Sequence, residues 1–178
     1  MEKYRTEEEQ LAAVKKNGYA IEHITSPSES IQIAAVSQNG NAIQFIENPS
    51  ETVQIAAVKH HGCAIQFIEN PSETVQLAAV KQSGYVIYYI NSPSEAVKIT
   101  AVKQNGYVIQ LIENPSEEVQ LTAVKQNGFA VKYIVNPSEA VLKICLFSND
   151  CDASLLKDEW FDGKSTELRL IYEIKKGI

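Results

Sequence analysis

Apolar and polar positions along this chain follow one long beat. The pattern P-S-E-x-V-Q-L-A-A-V-K-Q-N-G-x-A-I-Q-x-I-E-N returns five times from Pro27 to Asn136 without an insertion. Prolines stand at 27, 49, 71, 93, 115 and 137, and glycines at 18, 40, 62, 84, 106 and 128, so the period is 22 residues. A fixed short period marks stacked repeats, each too small to bury its own apolar face. A degenerate copy precedes, from Arg5 to Ser26, and a divergent one begins at Pro137 with "NPSEAV" before departing into "LKICLFSND". Atypical ends are expected where a terminal repeat faces water.

Positions are counted here from the proline as 1. In "NPSEEVQLTAVKQNG" the Asn-Pro-Ser-Glu start predicts a helix with Asn114 as N-cap, Pro115 at N1 and Glu117 at N3. Ser26 and Ser92 take the Asn place in two copies, which capping chemistry permits. The helix is expected to run about 11 or 12 residues and to end at Asn127-Gly128, with Gly in a left-handed C′ conformation. A second helix of about seven residues follows, for example Tyr107 to Glu113, and must stop before the next Asn-Pro. Its Val and Ile content leaves a strand open as the alternative. The spacing of "AI" and the later Ile fits a helical face better than strict alternation.

Apolar residues at positions 5, 7, 8, 9 and 10 nearly encircle the longer helix, so it is expected to be buried on several sides. Ala recurs at position 9, as Ala101 does, and predicts close backbone approach there. The fold expected is all-α: an α-solenoid of 22-residue two-helix repeats, one helix longer and one short. The array should occupy residues 1–149, with a C-terminal capping segment over 150–178.

Composition narrows the function. The net charge of −6 argues against electrostatic capture of nucleic acid or an anionic membrane. Cys63, Cys145 and Cys151 are too few and scattered for a disulfide scaffold. The charged start "MEKYRTEEEQ" reads as no secretion signal, and no run is long enough to cross a bilayer. The expectation is a cytoplasmic protein.

Three ladders of outward positions remain. Lys15, Lys59, Lys81, Lys103 and Lys125 recur at position 11, with Ser37 breaking the run, and Glu at position 3 recurs as faithfully. Glutamines recur at position 6 (Gln32, Gln54, Gln76, Gln120) and position 18 (Gln44, Gln66, Gln110). The lysine ladder reads first as a solvated face that also pairs with nearby glutamates, and the glutamine ladder as neutral surface or inter-repeat side-chain hydrogen bonds. The third joins positions 15 and 19, four apart and so on one face of an α-helix. It supplies Tyr19, Phe45, Phe67, Tyr85, Tyr89, Tyr107, Phe129 and Tyr133, and Tyr88 joins from position 18. Such side chains are effective anchors for protein contacts. The competing reading is plain packing.

Catalytic and metal chemistry is thin. His60, His61 and Cys63 lie together, but no other repeat supplies a partner ligand. Asp150, Asp152, Asp158, Glu159 and Asp162 do not have calcium-loop spacing. No phosphate-cradling loop or nucleophile elbow is present. No catalytic residue, no metal ligand and no cofactor is assigned. The C-terminal segment holds the only Trp, Trp160, beside Phe161. Asp152 could cap a short helix through Leu156, and Ser165 or Thr166 could start a last helix ending near Gly177, although "LRLIYEI" also allows a strand. Leu155, Leu156, Trp160, Phe161, Leu168, Ile171 and Ile174 would cover the end of the array, or Trp160 and Phe161 would anchor a partner.

The NPSE starts, the "LAAVKQNG" helix and the "AIQFI" tail, over about residues 5 to 147, resemble the repeats grouped as DUF4116, a domain of unknown function found in bacterial and viral proteins. The resemblance implies an all-helical array and lends no catalytic residue. Together these readings favour a non-enzymatic protein-binding scaffold, adaptor or inhibitor. Its ligand would be another protein, or a second copy in a homo-oligomer, held on the aromatic strip with Trp160 as a further anchor. The alternatives are a nucleic-acid-binding array using the Lys and Tyr ladders, less favoured by the charge, and a self-assembling spacer.

Overall fold

A computed structural model of the chain describes residues 6–148, 151 and 153–177. The fold is an all-α repeat architecture in which longer α-helices alternate with short 3-10 helices. The α-helices are α1 (Glu7–Lys16), α2 (Glu29–Gln38), α3 (Glu51–His60), α4 (Glu73–Gln82), α5 (Glu95–Gln104), α6 (Glu117–Gln126), α7 (Glu139–Phe147) and α8 (Thr166–Lys176). The short helices follow α1 to α6, as Gly18–His23, Gly40–Phe45, Gly62–Phe67, Gly84–Tyr89, Gly106–Leu111 and Gly128–Tyr133. The chain forms two compact units, 1–97 and 98–178, divided inside α5.

In the first unit α1 to α4 pack in succession, and so do the four short helices, giving two layers. Positions 5, 9 and 10 of each α-helix form the core between them: Ile31, Ala35 and Val36 in α2, Val53, Ala57 and Val58 in α3, all fully buried. The short helices add positions 16, 17 and 20, such as Ala42, Ile43 and Ile46. Positions 7 and 8 are only half-buried, as at Ile55 and Ala56, so the apolar residues do not encircle the helix. In the second unit α6 packs on α7, the short helices Gly106–Leu111 and Gly128–Tyr133 pack on each other, and α8 packs on α7. Ala101 and Ala123 are fully buried, as the recurrence of Ala at position 9 predicts.

The helix start differs from the expectation. The N-cap is the serine at position 2, not the asparagine before the proline. Ser50, Ser72, Ser116 and Ser138 each accept a hydrogen bond from the backbone N–H three residues on, and the α-helix begins with the following Glu. Asn48, Asn70 and Asn114, with Ser26 and Ser92, instead have φ of 46–50°. An N-cap has extended backbone, so a left-handed residue cannot serve. Asn tolerates this region best among non-glycine residues, which explains its place before the turn. The proline then stands outside the helix. Its carbonyl accepts from the position-6 glutamine of the same repeat: Gln54 Nε2 lies 2.9 Å from Pro49 O, and Gln76, Gln32 and Gln120 do the same. That glutamine ladder is therefore structural.

The helix end also differs. Among the described glycines only Gly163 and Gly177 have positive φ. The position-14 glycine is instead where the next repeat's backbone comes closest. A Cβ on Gly40 would stand 2.5 Å from Ala57 O, and one on Gly106 would stand 2.5 Å from Ala123 O. Position 13 caps the short helix: the side chains of Asn17, Asn39, Asn105 and Asn127 accept from the N–H two residues on. This Asx closure supports the start of the i→i+3 pattern in four repeats, while the segments after His61 and Ser83 adopt the same six-residue 3-10 helix without it, rather than two α-turns or a strand.

Ser165 precedes α8, and Gly177 ends it in the left-handed conformation, so the helix is formed and not the strand that "LRLIYEI" also allows. Asp150 and the expected capping residue Asp152 lie outside the described residues, as does Arg5. Within the second unit Trp160, Phe161, Leu156, Leu168 and Tyr172 are buried, and Phe161 stacks on Tyr172 with ring centroids 4.1 Å apart. Ile174 is 67% exposed and adds nothing to this packing.

Candidate functional site

Each repeat turns two kinds of outward surface to solvent: the ends of the α-helix and the outer side of the short helix. The N-terminal ends are tied together. Ser28, Ser50, Ser72 and Ser94 each donate a hydroxyl hydrogen to the glutamate that opens, or in the first copy begins, the preceding α-helix: Glu7, Glu29, Glu51 and Glu73. At Ser50, Ser72 and Ser94 one hydroxyl both caps its own helix and bonds its neighbour, whereas Ser28 makes the link to Glu7 without a side-chain cap bond. In the second unit Ser165 repeats the link to Glu139 at 3.0 Å. The Lys143 ammonium and the Ser165 hydroxyl hold the Glu139 carboxyl below its usual range. The recurrent Ser-Glu pair was visible in the sequence, but its inter-repeat role was not, because the bonded residues belong to different copies.

The helix C-terminal ends use position 12 the same way. Gly106 N–H donates to Gln126 Oε1 of the next repeat, and Gly40 N–H donates to His60 Nδ1 at 3.1 Å. His60 thus stands in for glutamine as an acceptor. His61 Nδ1 lies 2.9 Å from Asn41 Oδ1. The two histidines are engaged with the preceding repeat and do not converge with Cys63. Among the described residues no group of three or more His, Cys, Asp or Glu side chains is gathered as a metal site.

The short-helix surface holds the aromatic residues. On a 3-10 helix, with three residues per turn, positions 15 and 18 eclipse and position 19 is rotated by a third of a turn. The expected shared face of positions 15 and 19 is therefore absent within one repeat. The ladder is built between repeats instead. Tyr19, at position 15, packs edge-on against Phe45, at position 19 of the next repeat, with centroids 5.8 Å apart and planes at 89°. Tyr107 and Tyr133 repeat the relationship in the second unit at 5.9 Å and 86°. Such edge contacts are the favoured geometry of aromatic pairs.

Exposure along this surface is substantial. In the first unit Phe45, Phe67 and Tyr89 occupy the same repeat position and are 36%, 38% and 41% exposed. Tyr85 is also exposed, and Tyr88 reaches 73% while resting edge-on against Tyr89. In the second unit Phe129 and Tyr133 are exposed, with Leu111 and Val135 beside them in the sequence pattern. Tyr19 and Tyr107 are half-buried. Trp160 stands apart: it is 5% exposed, and its indole N–H donates to Val135 O at 3.1 Å. Its side chain is buried and tied to the Val135 carbonyl rather than presented at the open surface.

Charge differs between the units. The short-helix segments 18–25, 40–47, 62–69 and 84–91 of the first unit contain Glu22, Glu47 and Glu69 and no Lys or Arg. All three carboxylates are exposed. In the second unit Lys132, at position 18, sets its ammonium over both members of an aromatic pair, 4.8 Å from the Tyr133 centroid and 5.7 Å from that of Tyr107.

The acidic C-terminal residues are occupied by other partners. Asp158 accepts from Tyr172 Oη at 2.6 Å and from Lys176 Nζ at 2.8 Å, which lowers its pKa. Asp162 pairs with Arg169. The Cys145 thiol is pushed up by its hydrogen bond with Cys151 and by burial, which disfavours a nucleophilic thiolate. No described helix is long and apolar enough to cross a membrane.

No family model, no curated protein and no solved structure matches the chain.

Proposed function

We propose that this chain is a non-enzymatic, cytoplasmic protein-binding scaffold, acting as an adaptor or inhibitor, whose partner docks on the aromatic short-helix surface. One observation carries the reading. Phe45, Phe67 and Tyr89 recur at one repeat position, each more than a third exposed, while the core positions on either side are fully packed. A residue needed only for stacking would be buried like its neighbours Ile46 and Ile68. Large aromatic groups held by rigid short helices offer binding area at low entropic cost. The segment from residue 150 serves as a cap on the array, which leaves Trp160 out of the docking surface.

The test is a pull-down from lysate with the wild type and with a Tyr85→Ala/Tyr88→Ala variant, chosen because both rings are well exposed. The wild type should retain a partner that the variant loses at unchanged thermal stability. Equal recovery of every partner removes the aromatic surface from the account.

A further inference from the structure

Lys132 shows what an aromatic pair on this surface does with a cation. Its ammonium lies over Tyr133 and Tyr107, the position-19 and position-15 rings of consecutive repeats. Ring faces carry negative potential, so the pair forms a cradle for positive charge. In the first unit the same pair exists as Phe45 and Tyr19, with the same edge geometry. The residue equivalent to Lys132 is there Gln44, and its amide is turned onto the Asn41 carbonyl at 3.0 Å. Among the described residues no Lys or Arg side chain is placed over this pair, and the short-helix segments 18–25, 40–47, 62–69 and 84–91 hold exposed Glu22, Glu47 and Glu69 without a Lys or Arg.

We infer that the first unit's short-helix surface takes a basic peptide segment of a partner protein, its Lys or Arg side chains lying over the Tyr19–Phe45 pair and along Phe67 and Tyr89, with Glu22, Glu47 and Glu69 meeting their charge. The inference deepens the proposed function and rests on it. Two independent observations point to the same ligand chemistry: the internal lysine that fills the equivalent pair, and the excess of carboxylates over Lys and Arg in the short-helix segments around the unfilled one, where Lys16 at the end of α1 lines the same recess as Tyr19 and Glu22. Guanidinium fits best, because it stacks on ring faces and pairs with carboxylates at once. The same charge balance repels a phosphate backbone, so nucleic acid is not the occupant of this surface.

The experiment uses the full chain and three fluorescein-labelled 12-residue peptides that alternate serine with arginine, glutamine or glutamate, followed by anisotropy. The arginine peptide should bind at least about tenfold more tightly than the glutamine peptide, and the glutamate peptide should not bind. Glu47→Gln/Glu69→Gln should weaken the arginine peptide by about fivefold or more and flatten its salt dependence. Tyr19→Leu should weaken it too, whereas Lys132→Gln, on the other unit, should leave it unchanged. Thermal melts check that each variant is folded. Equal binding of the arginine and glutamine peptides, with no effect of the Glu→Gln pair but loss in a Tyr85→Ala/Tyr88→Ala variant, overturns the cationic specificity and leaves the protein-binding surface standing. Arginine-peptide binding that survives both aromatic variants and the Glu→Gln pair overturns both. An absence of binding by all three peptides overturns the inference, and the pull-down above then judges the surface separately.

Discussion

Gly40 lies so close to Ala57 of the next repeat that a Cβ on it would stand 2.5 Å from the Ala57 carbonyl oxygen. The obstacle is helix backbone, which cannot rotate away as a side chain would. Gly40→Ala should therefore separate two repeats and cost about 1–3 kcal/mol, the range for overpacking a tight site. At Gly62 the nearest atom, Ala79 O, is 3.1 Å away, so Gly62→Ala should cost less. Urea melts of the two variants check the order. Equal stability of Gly40→Ala and the wild type would show that the repeats do not meet there.

Ser92 holds a φ of 49°, a conformation that Asn48, Asn70 and Asn114 adopt in the same place of their repeats. A serine pays about 1 kcal/mol or more for the left-handed region, and asparagine pays less. Ser92→Asn should raise stability by a few tenths of a kcal/mol to about 1 kcal/mol, and Asn114→Ala should lower it by a similar amount. Differential scanning calorimetry reads both signs. A destabilising Ser92→Asn would contradict the assignment of this turn.

The Ser50 hydroxyl accepts from Val53 N–H at 3.4 Å and donates to Glu29. Ser50→Ala removes both and should cost about 0.5–2 kcal/mol, as for other N-caps. Ser50→Asp keeps an acceptor for the cap and places a carboxylate against Glu29. Its stability should fall below that of the wild type at low ionic strength and recover in part as salt screens the two carboxylates. Melting temperatures of the two variants across salt concentration separate the cap from the link between repeats.

The C-terminal packing should be sensitive to acid. Asp158 is held below its usual pKa by Lys176 and Tyr172, and Glu139 is held down by Lys143 and Ser165. A carboxyl with a depressed folded pKa stabilises above its unfolded value, and that contribution disappears as pH falls through the folded one. Trp160 is the only tryptophan, is buried and lies two residues from Asp158, so its emission reports the segment directly. Its fluorescence should hold through neutral and mildly acidic pH and shift red below the ordinary carboxylate range. Asp158→Asn should move the onset and reduce its steepness. A profile identical to that of the wild type would remove Asp158 from the packing.

Much of this fold was legible because the period repeats each residue's role. The burial of Ala101, the short second element and the helix ending at Gly177 all follow from position and pattern. The Asn-Pro start misled, because Asn before Pro suits both an N-cap and a left-handed turn, and only the backbone distinguishes them. The glycine at position 14 misled for the same reason. Its missing Cβ serves a close approach between copies, and sequence periodicity carries no distance across copies. The aromatic ladder was legible as residues and not as geometry: a 3-10 helix rotates position 19 away from position 15, so Tyr19 meets Phe45 of the following repeat instead of His23 of its own. Trp160 read as an anchor from its chemistry alone, while its bond to the Val135 carbonyl lies 25 residues away in sequence.

The central claim is that consecutive repeats stack in register, bringing a position-15 ring onto the position-19 ring of the next copy. Nuclear Overhauser contacts between aromatic protons test it most directly, in a sample labelled at Tyr and Phe. Cross-peaks should join Tyr19 to Phe45 and Tyr107 to Tyr133, and vanish for the first pair in Tyr19→Leu. Rings that show only contacts within their own repeat would contradict the stacking, and with it the surface on which a partner is proposed to dock.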